Sequence, residues 1–121
     1  MIKLTFALVR RPELTRESFL AYWFDRHAPL VASVRDDLAI HRYVQLHSLP
    51  AEASETLRQS RGAPAQFDGV AQLWWESLEV CTQAATSPRG RAAASALLAD
   101  ERTFIDLTRS PLWWGEERPI F

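Results

Sequence analysis

Two tryptophan pairs, Trp74-Trp75 and Trp113-Trp114, restrict this chain more than any other feature. Each sits in a short apolar run that reads as a β-strand, and successive strand side chains point to opposite faces of a sheet. Each pair therefore sets one indole on each face, and both faces need apolar cover. A chain of 121 residues has helix enough to cover one face. The other is expected to meet a second copy of the same sheet, which predicts a homodimer with an aromatic-lined space between two sheets.

The length suits one domain, spanning residues 1–121, that buries its core without staples. Fourteen basic and fifteen acidic residues leave a net charge of −1, so nothing steers the chain to nucleic acid or an anionic membrane. A single cysteine, Cys81, excludes an internal disulfide and a cysteine-based metal site. It is expected to be a small buried residue on a helix in a reducing, cytoplasmic compartment. Met1-Ile2-Lys3 opens straight into an alternating segment, and no apolar run is long enough for a membrane span.

Along the chain, residues 2–9 alternate as a first strand, with Ile2, Leu4, Phe6 and Leu8 on its apolar face. Thr15 is a good N-cap with Glu17 in the first turn. From there Phe19, Tyr22, Trp23, His27, Leu30, Val31 and Val34 recur at helical spacing. Pro29 is expected to kink or split that helix near His27. Residues 40–47 alternate as strand two, 48–68 form a long mobile connection at one end of a cavity, and 70–75 are strand three. Ser77 opens a helix to about Thr86, Pro88 a second to about Ala99, and residues 100–107 add a further helical turn. Residues 112–121 are the last strand, with Pro119 at its edge or end.

The order β-α-β-β-α-β predicts an α+β, ferredoxin-like split βαβ unit whose four-stranded antiparallel sheet carries both helices on one face. Val44 and Leu46 are expected under the helices beside the apolar face of strand one. The open face is expected to hold Thr5, Ala7, Val9, His41, Tyr43, Gln45, His47 and one tryptophan of each pair. Strand parity selects Trp74, which follows Val70 and Gln72, unless a bulge exchanges it for Trp75.

The stretches 1–12, Thr15-Arg-Glu-Ser-Phe-Leu-Ala-Tyr-Trp, His27-Ala-Pro-Leu-Val, Arg42-Tyr-Val-Gln, Phe104-Ile-Asp and Arg109-Ser-Pro resemble the EthD family of the dimeric α/β-barrel superfamily. That resemblance implies a ferredoxin-like protomer, dimerisation sheet against sheet, and a ligand cavity in each protomer. It also implies chemistry that varies from decarboxylation and dehydration in aromatic polyketide pathways to isomerisation and cofactor-free oxygenation. Some superfamily cyclases carry a catalytic histidine after strand three, where this chain reads Ser87-Pro-Arg-Gly-Arg-Ala. Haem-degrading relatives use an asparagine, and this chain has none.

His27 falls within the family's signature string. Its residue type suits a general acid or base, since an unperturbed imidazole titrates near 6.5. The alternative role is to satisfy carbonyls freed by Pro29. Tyr43 would orient or protonate a carbonyl and His41 would help orient the ligand. Trp74, Tyr22, His47 and Gln45 would line the binding site. His41 and His47 lie roughly 20 Å apart at about 3.3 Å per strand residue, too far to share a metal ion. The expectation is therefore no metal and no cofactor. The leading function is proton transfer on a small aromatic or polyketide-like carbonyl compound. A cofactor-free oxygenase of a degradation pathway and a non-catalytic small-molecule binder are the rivals.

Overall fold

The computed structural model describes residues 1–121. Strand β1 (Ile2–Leu8) leads to α1 (Arg16–Tyr22), which runs through a π-helical turn (Trp23–His27) into α2 (Ala28–Ser33). Then come β2 (Arg42–His47), α3 (Glu55–Arg61), β3 (Gly69–Trp75), α4 (Leu78–Thr86), α5 (Pro88–Phe104) and β4 (Leu112–Gly115). The strands form one antiparallel sheet in the order β2-β3-β1-β4. This is the ferredoxin-like architecture that the element order predicts. Thr15, Ser77 and Ser87 cap α1, α4 and α5 by accepting from Ser18, Val80 and Gly90 N–H groups.

Register decides which residues share a face, because directly paired residues of antiparallel strands point the same way. Leu4 pairs with Leu73 and Trp114, and Tyr43 also pairs with Leu73. Phe6 and Gln45 flank Ala71, while Leu8 and His47 flank Gly69. Those rows lie under the helices, as Phe6, Leu8, Phe19, Trp23 and Phe104 form one core cluster. Val31, Leu38, Ile40, Trp75 and Ala93 form a second. The open face carries Thr5, Gln72, Val44 and Trp113 in one row, and Ala7, Val70 and Leu46 in the next.

Strand one and Trp74 thus take their expected faces, but strand two is reversed. Val44 and Leu46 are on the open face, whereas Tyr43, Gln45 and His47 are under the helices. The physical reason is the π turn above them. The Trp23 carbonyl accepts from Ala28 N–H and also from the Gln45 side chain, at 3.0 Å. Polar groups on β2 are needed beneath it, and the apolar residues of that strand are left facing out.

Three segments differ from the sequence reading. Residues 48–68 contain a 3-10 turn (Ala51–Ser54) and α3, and none of them lines the internal cavity. Helix α5 is continuous to Phe104, since no glycine or proline follows Gly90 within it to break the turns at residues 100–104. Strand β4 ends at Gly115, well before Pro119. Gly69 is obligatory at the start of β3: a Cβ there would meet the Trp23 ring at 2.5 Å and the Leu46 carbonyl at 2.8 Å.

Candidate functional site

Helices and sheet do not close fully on each other. An internal cavity of about 150 Å³ lies between them, walled mainly by apolar side chains that include Trp23, Leu73, Trp75, Leu97 and Ile105. Three titratable side chains line it: His27, Tyr43 and Glu101.

His27 comes from the π turn. Ala28 N–H bonds back five residues to the Trp23 carbonyl, and Pro29 has no N–H with which to restore α-helical bonding. The extra residue in that turn sets His27 inward, where it is only 5% exposed. Its Nδ1 lies 2.7 Å from Asp100 Oδ2. A carboxylate can only accept, so Nδ1 carries the hydrogen of the neutral ring and Nε2 keeps its lone pair. The Tyr22 hydroxyl donates to the other Asp100 oxygen, and this bond raises the phenol's pKa. Tyr22 thus fixes the carboxylate that fixes the histidine.

Tyr43 lines both the cavity and an open groove of about 680 Å³ between α1 and the β2 edge. The phenolic oxygen accepts from Gln45 Nε2 at 2.8 Å, which leaves its own hydrogen free to donate. Burial raises its pKa, so it remains a neutral donor. Gln45 is oriented in turn by His47, whose Nε2 lies 2.7 Å from Gln45 Oε1. The His47 ring stacks on Trp23 with centroids 4.8 Å apart. Burial first, and then the Arg16 charge, lowers the His47 pKa.

The remaining expected site residues lie elsewhere. His41 precedes β2, is exposed, and does not line the cavity. Trp74 is on the open face because it pairs with Lys3 and Arg42, one residue out of phase with the cavity rows. Its indole lies between the Lys3 and Arg42 cations, 4.8 and 4.7 Å from the ring centroid, and donates to Glu117. The apolar walls are Trp23 and Trp75 instead, and Trp75 Nε1 is spent on the Leu38 carbonyl at 2.7 Å. No three His, Cys, Asp or Glu side chains converge as a metal site.

Glu101 is the cavity residue that the sequence reading missed. Ala93, Leu97, Glu101 and Ile105 recur every fourth position, so a carboxylate interrupts an otherwise apolar helical stripe. Breaking the helix at Ala99 hides that signal. Burial, reinforced by the adjacent Asp100 charge, raises the Glu101 pKa from 4.5 to about 7.

No curated protein matches the chain. An EthD family protein from Bacillus halodurans C-125 has a similar structure, with a TM-score of 0.64 at 20% identity, over 98% of this chain and 99% of that one. A dimeric protein of unknown function and ferredoxin-like fold from Bacteroides fragilis NCTC 9343 gives 0.60 at 10%, over 96% and 95%. SnoaB, a cofactor-independent oxygenase from Streptomyces nogalater, gives 0.55 at 15%, over 98% and 93%. At such identities the likeness concerns the fold. The sequence profile of the EthD domain matches residues 11–108, and with most of its length so matched the chain belongs to the EthD family.

Proposed function

We propose that the chain binds a small, mostly apolar or aromatic carbonyl compound in the internal cavity and moves a proton on it without a cofactor. Decarboxylation, dehydration and isomerisation all draw on such a step. The observation that carries this reading is that His27, held by Asp100 at 2.7 Å, lines the same apolar cavity as a phenol with a free hydrogen. In the step itself, the C–H bond beside the carbonyl breaks and its proton passes to His27 Nε2. The electron pair moves to the carbonyl oxygen, and Tyr43 donates a hydrogen bond to that oxygen. The Asp100 carboxylate stabilises the imidazolium that results.

A cavity near 150 Å³ accommodates about one six-membered ring, which favours a single-ring compound over the fused rings of an aromatic polyketide. Residues 42–47 supply the positioning set of Tyr43, Gln45 and His47. The open sheet face suits a second copy of the chain, since Leu46 and Trp113 are about half exposed there.

Deuterium wash-in beside the carbonyl of cyclohexanone, followed by mass spectrometry, tests the catalytic reading. His27→Gln should keep the fold, at a cost of about one to two kcal/mol. The exchange rate should fall by roughly two to four orders of magnitude. A folded variant that exchanges at the wild-type rate removes His27 as the base.

A further inference from the structure

Glu101 sits on the cavity wall between Leu97 and Ile105, one helical turn from each. It faces His27 from the π turn and Tyr43 from β2, and Asp100 is its neighbour on α5. No lysine or arginine lines the cavity, so nothing there compensates a carboxylate charge. The carboxyl also has no hydrogen-bond partner within the chain. The Glu101 side chain is only partly buried, so the carboxyl is open to an oxygen of a ligand in the cavity.

We propose that Glu101 is the polar anchor of the cavity: its carboxyl group donates a hydrogen bond to the oxygen of a small uncharged ligand, and the site rejects ligands that carry a carboxylate. This rests on the cavity reading above and gives it a substrate class, neutral one-ring ketones or aldehydes, which sets decarboxylation aside in favour of dehydration or isomerisation. A pKa raised to about 7 agrees with the geometry, since only the protonated acid can donate. An apolar site that keeps a carboxylic acid neutral turns it into a donor toward developing oxyanion charge. Tyr43 and Glu101 then offer two donors to one carbonyl oxygen, while His27 Nε2 remains the acceptor. A carboxylate ligand would have to enter beside Glu101 and Asp100 with no cation to meet it.

Three probes separate the claims: benzene reports on the cavity, cyclohexanone on the anchor, and benzoate on charge rejection. Binding is followed by Trp23 and Trp75 fluorescence and by NMR titration. In Glu101→Leu the ratio of cyclohexanone to benzene affinity should fall about three- to tenfold, one lost hydrogen bond. In the wild type, cyclohexanone affinity should drop as pH rises through about 7. In Glu101→Gln, whose amide still donates, it should be flat with pH. Benzoate should bind the wild type far more weakly than benzene does. An unchanged ratio in Glu101→Leu, a pH dependence that persists in Glu101→Gln, or benzoate bound as tightly as benzene overturns the anchor while benzene binding leaves the cavity standing. Failure of both benzene and cyclohexanone to bind overturns the cavity and the anchor together.

Discussion

The division of labour between Asp100 and Glu101 shows how much one residue step on a helix can change. Asp100 accepts from His27 and Tyr22, while Glu101, about 100° further round α5, lines the cavity without a partner. Asp100→Asn should keep this geometry but present an amide that can donate to Nδ1, favouring the wrong imidazole tautomer. Exchange into cyclohexanone should then fall by roughly two to four orders of magnitude with little change in binding of the ketone. An unaltered rate would separate Asp100 from catalysis. Glu101 carries a stability signature of its own. With the folded pKa at about 7 and the reference at 4.5, the folded state holds the proton more tightly. Its stabilising effect is therefore complete below pH 4.5, declines through that window, and is lost above about 7. Melting temperatures of wild type and Glu101→Gln should diverge between about pH 5 and about pH 8, with the glutamine variant gaining at the alkaline end. Parallel curves would mean that the carboxyl is solvated.

At the scale of elements, the π turn and the start of β3 are built for each other. Trp23 packs so closely over Gly69 that a methyl group there would lie 2.5 Å from its ring. Gly69→Ala should destabilise the fold by about 1–3 kcal/mol, the usual cost of overpacking, and chemical denaturation measures it. A neutral substitution would mean that Trp23 has room to shift. Element order and the face of β1 were legible in the sequence because the alternation of residues 2–9 is strong, and the face of Trp74 followed from its parity with Val70 and Gln72. So was the interruption at Pro29. Strand two misled because its alternation is inverted: Tyr43, Gln45 and His47 face the helices to serve the Trp23 carbonyl and the cavity. No local pattern in residues 42–47 reveals a need created by a bulge about twenty residues earlier. Glu101 was legible in principle, through its place on the Leu97–Ile105 stripe, but only with α5 read as one helix. The cavity itself follows from how the two layers fail to meet, and that is not written in either layer alone.

For the whole molecule, the open face still requires cover, though not for the reason the tryptophan pairs suggest. Trp74 is only 7% exposed within a single copy, shielded by Lys3, Arg42 and the tail residue Glu117. What stays uncovered is Leu46 at 53% on the edge strand β2 and Trp113 at 51% on the opposite edge strand β4, with Val70 of β3 on the same face between them. Fully burying a leucine side chain stabilises by about 1.5–3 kcal/mol relative to exposure, and a two-fold contact would bury each residue twice. Helices α1, α2 and α5, which supply both core clusters, lie on the other side of the sheet. A second copy placed on the open face would seal the floor of the sheet without entering the cavity, so assembly and ligand binding should be separable. Leu46→Arg, on the edge strand of the open face, should convert a dimer to a monomer in sedimentation velocity. Benzene binding should meanwhile fall no more than about threefold, a change within ordinary surface-mutation effects. A wild type that sediments as a monomer at micromolar concentration would sink the dimer. A Leu46→Arg variant that loses the cavity along with the partner would show instead that the sheet depends on the second copy for its shape.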